Sequence, residues 1–302
     1  MKRTAAVCVL ALGVAACSGG NPFDDGDDGT DDAVSPTNII DASESNEELT
    51  GNGLVFSDNG TPADPTDDTL VINNIPFDNV DSTGGAYTRT GALPNGFERY
   101  ESPVLGTEGE LNYFAVFRRS ELAQVAAVGT GDFVTPGTGG LIAERTGSAG
   151  VPNARPASYT FTGDYAAVRI GTINGGSNDV TFVTGETILT ADILDFDNDG
   201  AVTGVVVNRE LFDANGASLG DLNDFISLTT TGIDFENATI EAAQATTIED
   251  GEALGTGEWQ GIFAGPNGEE IAGIIVIEGS TTDGEPDDTV RETGTFIVVN
   301  GG

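Results

Sequence analysis

From about residue 51 to the C-terminus, apolar side chains recur at strand spacing in short runs, and each run is closed by Gly, Pro, Asn or Asp. Helical periodicity is almost absent, so the chain is predicted to be all-β. Candidate strands are Leu54–Phe56, Thr69–Ile72, Ala86–Arg89, Phe97–Tyr100, Leu111–Arg118 and Glu121–Val128. A second set runs Ser158–Phe161, Ala166–Thr172, Val180–Thr184, Thr187–Leu194, Val202–Asn208, Ile226–Thr230, Glu258–Phe263, Glu270–Ile277 and Gly294–Val299. Tyr159, Phe161 and Tyr165 alternate with Thr160, Thr162 and Asp164, as in a strand with one buried face. Ile271–Ile277 is nearly continuous in apolar residues and should be buried on both faces. Glycine-rich strands such as Gly255–Gly261 suit a barrel, where glycine permits tight coiling and close approach. Trp259, Phe263, Phe296, Phe161 and Tyr165 are then expected in the barrel interior; the sharper reading is a small-molecule pocket in its mouth.

Hydrophobic periodicity vanishes between Thr135 and Pro156, where Gly and Pro are frequent, and this marks a boundary. The predicted organisation is a signal peptide (1–16), an acidic Gly/Asp-rich tether (17–50), a small β-domain (51–135), a linker (136–153) and a barrel (154–302). The tether carries Asp24, Asp25, Asp27, Asp28, Asp31 and Asp32 among glycines, which keeps it solvated and extended. A barrel closes its own edges, so residues 154–302 are expected to fold alone.

The first 20 residues have the three parts of an export signal: Lys2 and Arg3, an apolar stretch from Ala5 to Ala15, then small residues. That stretch is too short to span a bilayer. Val14-Ala15-Ala16-Cys17 resembles the lipobox of bacterial lipoproteins, in which the cysteine is acylated and becomes the first residue. Cys17 is therefore the expected lipidation site, and Ser18 behind it implies sorting to the outer membrane in enteric-type bacteria. Cys8 leaves with the signal, so the mature chain can form no intrachain disulfide.

Charge and missing residue types exclude several functions. The chain has 49 acidic side chains, 11 basic ones and no His, for a net charge of -38, and Lys2 is its only lysine. Without His there is no Ser-His-Asp or Cys-His machinery, and no imidazole metal site. The negative field repels phosphate backbones, so no nucleic-acid partner is expected.

Several motifs invite a chemical reading. Gly216-Ala217-Ser218-Leu219-Gly220 has the spacing of a nucleophile elbow, but the elbow needs an α/β strand-to-helix turn and a histidine base, so this segment reads as a loop. Asp195, Asp197 and Asp199, followed by Gly200, have the D-x-D-x-D-G spacing of a calcium loop. Position twelve of that loop is Val206 rather than Glu, and a hairpin turn explains the same residues. The acidic loops Asp58–Thr69 and Thr282–Thr289 are of the same kind. Calcium at the Asp195 loop is the single cofactor that the sequence suggests. Arg118-Arg119, the one adjacent basic pair of the mature chain, is expected to balance nearby acids. Among so many carboxylates no spacing singles out a pair for glycoside hydrolysis. No catalytic residue is nominated.

Three segments carry a resemblance. Gly261 through Gly273 (GIFAGPNGEEIAG) resembles a hairpin near the end of the barrel lobes of the transferrin-binding protein B family. Leu189–Asp192 through Val202–Gly204 resembles an earlier hairpin of that family, and Ala157–Tyr165 its barrel-opening strand. Together they cover about residues 154–302 in the right order. The closing strand Thr295–Asn300 lacks the family's aromatic-and-basic ending, and the chain has room for one lobe rather than two. The resemblance implies a single-lobe surface lipoprotein of a Gram-negative bacterium, with a handle-like β-domain before an eight-stranded antiparallel barrel. It also implies a non-enzymatic protein that binds a protein or an iron-carrying ligand through its loops. The charge suggests a partner with a basic patch. A structural envelope lipoprotein without a specific ligand, and a carboxylate-pair hydrolase, are the alternatives.

Overall fold

In the computed structural model of the protein, the residues described are 39–41, 53–72, 87–102, 113–131, 138–152, 157–172, 178–193, 200–280 and 289–301. Two antiparallel sheets account for them. The first contains β1 (Ile39–Asp41), β2 (Leu54–Ser57), β3 (Thr69–Ile72), β4 (Tyr87–Ala92), β5 (Glu98–Glu101), β6 (Phe114–Arg119), β7 (Ala123–Thr130) and β8 (Thr138–Arg145). Its order is β1-β8-β7-β6-β5-β4-β3-β2. It curls until the Gln124 side-chain amide on β7 donates to the Leu54 carbonyl on edge strand β2, at 3.1 Å. Tyr87, Tyr100, Phe117 and Ile142 fill the space inside the curl.

The second sheet contains β9 (Ala157–Thr172), β10 (Asn178–Ile193), β11 (Ala201–Phe212), β12 (Ser218–Asp221), β13 (Phe225–Asp234), β14 (Thr239–Glu249), β15 (Glu252–Ala264), β16 (Glu270–Ser280) and β17 (Thr289–Asn300). The order β10-β9-β17-β16-β15-β14-β13-β11 closes through β10–β11 pairing into an eight-stranded antiparallel barrel, and short β12 hangs on β11. Phe161, Tyr165, Trp259, Phe263 and Phe296 fill its interior, as expected from the alternation. The Trp259 indole nitrogen donates to the Thr229 carbonyl at 3.1 Å. Two glycines make room for these rings: a Cβ at Gly273 would strike the Phe296 ring, and one at Gly294 the Tyr165 hydroxyl.

The outer wall of the barrel is also apolar where the first sheet covers it. Ala166, Val168, Ile170, Ile262, Ala272, Ile274, Val276 and Ile297 join Phe97, Val116, Val125, Ala127 and Leu141 in one cluster. This explains why Ile271–Ile277 reads as an unbroken apolar run: Ile271, Ile275 and Ile277 point inward, while Ala272, Ile274 and Val276 face the first sheet. Polar contacts stitch the same seam. Arg118 pairs with Asp164 and lies over the Phe97 ring, Asn95 donates to the Tyr165 carbonyl at 2.8 Å, and the Ser120 hydroxyl donates to Glu270 at 2.5 Å. Both sheets belong to one unit, Pro36–Gly302.

The structure corrects three expectations. β8 occupies the stretch read as a 136–153 linker: Leu141, Ile142 and Ala143 are buried, and the strand pairs with β7 along its whole length despite its glycines. β1 lies within the stretch read as a 17–50 tether, where the apolar Ile39-Ile40 enters the sheet against β8. The paired short strands predicted over 158–172 and 180–194 are single 16-residue strands, because β9 and β10 each run the full height of the barrel.

Candidate functional site

At one end of the barrel the interior changes from apolar to ionic. Arg209 on β11, Glu292 on β17, Tyr165 on β9 and Asp224 just before β13 meet there, all buried. Arg209 Nη2 lies 2.6 Å from each Glu292 oxygen, and its Nη1 bonds Asp224. The Tyr165 hydroxyl donates to Glu292 Oε1 at 2.7 Å. Arg169, nearer the rim on β9, stands 3.8 Å from Glu292 Oε2.

A local irregularity aims Arg209 inward. Val202 and Val206 face the interior, so regular alternation would send residue 209 outward. At that point the β10–β11 register shifts between Thr184 and Glu186, and Asn208 adopts a φ of 53°. A bulge with one residue in the left-handed region changes which face the next side chain takes, and Asn tolerates that region well. The bulge thereby swings Arg209 into the barrel.

Above this cluster is a small cleft, open to solvent, lined by Arg169, Asp224, Thr247, Gly255, Ser280 and Glu292 among others. Burial by itself would depress the Arg209 guanidinium, but the Glu292 and Asp224 carboxylates hold its pKa above the ordinary arginine value. Burial likewise acts to raise Glu292, and is outweighed by Arg209 and Arg169, which keep it below the ordinary glutamate value. Burial and the Glu292 charge push the Tyr165 phenol well above its usual pKa. Around neutral pH, Arg209 and Glu292 thus stay charged and Tyr165 stays protonated, which suits a structural network.

The opposite end is closed differently. Arg145 at the end of β8 is buried and donates to the Phe263 carbonyl at 2.9 Å and the Asn237 carbonyl at 2.8 Å. Burial lowers its pKa to about 10. Back at the mouth end, Arg99 on β5 donates to the Ala214 carbonyl at 2.7 Å and stacks over Phe182, tying the β11–β12 hairpin to the first sheet.

The sequence-nominated residues are distributed as follows. Cys17, the calcium candidates Asp195, Asp197 and Asp199, and the 282–288 part of the second acidic loop lie outside the described residues. In the Asp58–Thr69 loop three of the four carboxylates serve the loop itself. Asp58 accepts from the Gly60 amide at 3.0 Å, Asp64 from the Thr66 hydroxyl at 2.6 Å, and Asp67 from the Thr61 hydroxyl at 2.7 Å. Among the described residues no three His, Cys, Asp or Glu side chains gather as a metal site. Ser218 of the elbow-like motif sits on exposed strand β12 with its hydroxyl on Glu210 at 2.5 Å, so no elbow is formed. Sequence reading missed the Arg209 cluster. Its signal was weak: Arg209 stands beside Glu210, and Glu292 beside Arg291, each pair at one end of an apolar barrel strand.

The sequence matches no family model, and no curated protein matches it significantly. Solved structures similar to it include two variants of the vaccine antigen Transferrin Binding Protein B from Haemophilus parasuis Hp5. Each is 12% identical with a TM-score of 0.39 over 87% of this chain, covering 44% and 45% of theirs. Intact Ap-TbpB, with N and C lobes, is 12% identical with a TM-score of 0.36 over 77% of this chain and 41% of its own. The chain spans less than half the length of these solved proteins.

Proposed function

We propose that this protein is a lipid-anchored outer-membrane lipoprotein, displayed at the cell surface, that binds a protein or iron-carrying ligand through its barrel-mouth loops and performs no catalysis. One observation carries the preference for binding over chemistry: the buried ionisable groups at the mouth, Arg209, Asp224, Glu292 and Tyr165, are committed to one another. The chain also has no histidine, the residue whose ordinary pKa lies nearest neutrality. What the described part of the mouth end offers instead is the β11–β12 hairpin and the β14–β15 turn, acidic and partly apolar. The anchor is Cys17, acylated after cleavage at Ala16-Cys17; acyl chains contribute about 0.8 kcal/mol per buried methylene, and two or more hold a protein stably. The net charge of -38 attracts a partner through a basic patch and speeds the encounter.

Two measurements test this reading. Surface-plasmon recording of the full chain against its captured partner should give an association rate that falls steeply as salt rises. Cys17→Ser should release the protein from the outer membrane or leave it unprocessed. Turnover of a substrate that one Asp or Glu substitution abolishes, with the fold intact, would sink the non-enzymatic reading.

A further inference from the structure

Among the described strands, the barrel leaves one edge unclosed. β13 pairs with β11 over Ala201–Val206, and β12 takes over that side of β11 at Glu210–Phe212. β14 pairs with β13 as far as Phe225, and the β14–β15 turn follows at Asp250 and Gly251. β12 therefore extends past the rim of the barrel with β11 as its single neighbour among the described strands. All four of its residues, Ser218–Asp221, are exposed.

The outer side of this short strand has no partner strand among the described residues; its register on β11 shifts between Leu211 and Phe212 and Gly220 takes a φ of 117°, so the template it offers another strand is short and bent. Two of the four exposed large hydrophobics among the described residues lie on this stretch: Leu219 at 57% exposure and Phe225 at 36%. Beside them are Asp221 at the end of β12 and Glu249, Asp250 and Glu252, which follow the Phe225–Ile248 pair. The nearest arginine in sequence, Arg209, is buried against Asp224 and Glu292. The hairpin that carries the edge is held in place: Arg99 donates to the Ala214 carbonyl, the Asp213 amide donates to the Ala217 carbonyl at 2.9 Å, and the Asp213 carboxylate accepts from the Asn215 and Ala217 amides. A pre-ordered edge costs little conformational entropy when a partner pairs with it.

We infer that β12 is a docking edge at which an extended segment of a partner protein, rich in Lys and Arg with interspersed apolar residues, adds as a further antiparallel strand. Backbone hydrogen bonds would supply affinity, Leu219 and Phe225 would contact the segment's apolar side chains, and the flanking carboxylates would select its cations. This inference rests on the binding function proposed above and assigns it a place.

The test uses the full chain and a short synthetic peptide of alternating Lys and Val, with binding read by titration calorimetry at moderate salt. Two control peptides have the same composition: one N-methylated at every second residue, the other scrambled to separate the lysines from the valines. The parent peptide should bind at least about tenfold more tightly than the N-methylated one, because methylation removes donors that pair with the edge. Leu219→Ala and Phe225→Ala should each weaken the parent several-fold, while Glu236→Gln at the other end leaves it unchanged. Equal binding of the parent and N-methylated peptides, or no effect of either alanine variant, overturns the docking edge and assigns the attraction to diffuse charge. If the wild-type chain and Leu219→Lys capture a partner protein equally well, the edge inference fails and the binding function stands; absence of any capture by the wild-type chain fails the broader reading.

Discussion

The Nη2 nitrogen of Arg209 stands 2.6 Å from both carboxylate oxygens of Glu292, joining β11 to β17 through the barrel interior. Both side chains are almost inaccessible to water, so neither charge survives alone. Removing one member of a buried pair typically costs about 3–5 kcal/mol, because the other is left uncompensated. Glu292→Gln should lower the urea-unfolding free energy by that order, and so should Arg209→Met. The two contacts are one unit, so the double variant should lose clearly less than the sum of the singles. Additive losses would mean that the pair is not coupled.

Asn208 offers a separate handle on the same cluster. Its φ of 53° is tolerable for Asn, easy for Gly and strained for a β-branched residue. Asn208→Val should therefore destabilise by about 1–3 kcal/mol, and Asn208→Gly by much less. A valine that costs nothing would show that the bulge is not what turns Arg209 inward.

Two titrations within the cluster set opposite limbs of a stability–pH curve. The folded pKa of Glu292 lies below its ordinary value of 4.5, so the unfolded chain binds the proton more readily. Stability from Glu292 is present above about pH 4.5 and is lost as pH falls through the folded value. For Tyr165 the folded pKa is raised above 10.0, so its contribution is complete below pH 10 and is lost as pH rises towards the folded value. Tyr165→Phe should flatten the alkaline limb while removing a charge-assisted hydrogen bond worth about 1.5–3 kcal/mol, and Glu292→Gln should flatten its share of the acid limb. Chemical denaturation across pH, variant against parent, checks both.

Much of this fold was legible because strand alternation and glycine placement report local geometry. Phe161 and Tyr165 against Thr162 and Asp164 gave the inner face of β9, and Gly255–Gly261 marked a coiled barrel strand. β8 was illegible because Thr138-Gly139-Gly140 reads as a loop; its strand conformation comes from pairing with β7 and burial between the two sheets. The Arg209 cluster was illegible for a different reason. Its members are dispersed from residue 165 to 292, and the bulge that gathers them reverses the alternation from which facing is read. The acidic loop 58–69 could be read for composition alone, since only the structure reveals that Asp58, Asp64 and Asp67 serve local turns.

The seam between the sheets changes what a fragment should do. Val168, Ile170, Ile274, Val276 and Ile297 lie on the outside of the barrel under the first sheet, and a fully buried Val or Ile side chain contributes about 1.5–3 kcal/mol. A fragment of residues 154–302 would close its strand edges yet expose this wall, so it should bind a hydrophobic dye and aggregate where the full chain does not. In the full chain, Ile274→Asp should lower the melting temperature sharply, and both sheets should melt in one transition. A soluble, cooperatively folding fragment without dye binding would show that the wall tolerates water.

Salt should act on stability and association in opposite directions. The chain carries a net charge of -38, and its described arginines are largely engaged. Arg89 pairs with Glu98, Arg118 with Asp164, Arg209 with Asp224 and Glu292, and Arg291 with Glu278, while Arg99 and Arg145 hold backbone carbonyls. The surface is thus predominantly carboxylate, and repulsion among those groups works against the folded state. Ions shorten the range of that repulsion to about 8 Å at physiological strength and about 3 Å at 1 M, while the buried pairs are screened much less. Raising NaCl should therefore raise the melting temperature, a rise of roughly 4–8 °C corresponding to about 2 kcal/mol for a chain near this size. The same screening should slow capture of a basic partner. A melting temperature that falls with salt would mean that surface ion pairs outweigh repulsion. An association rate indifferent to salt would remove charge from partner recognition.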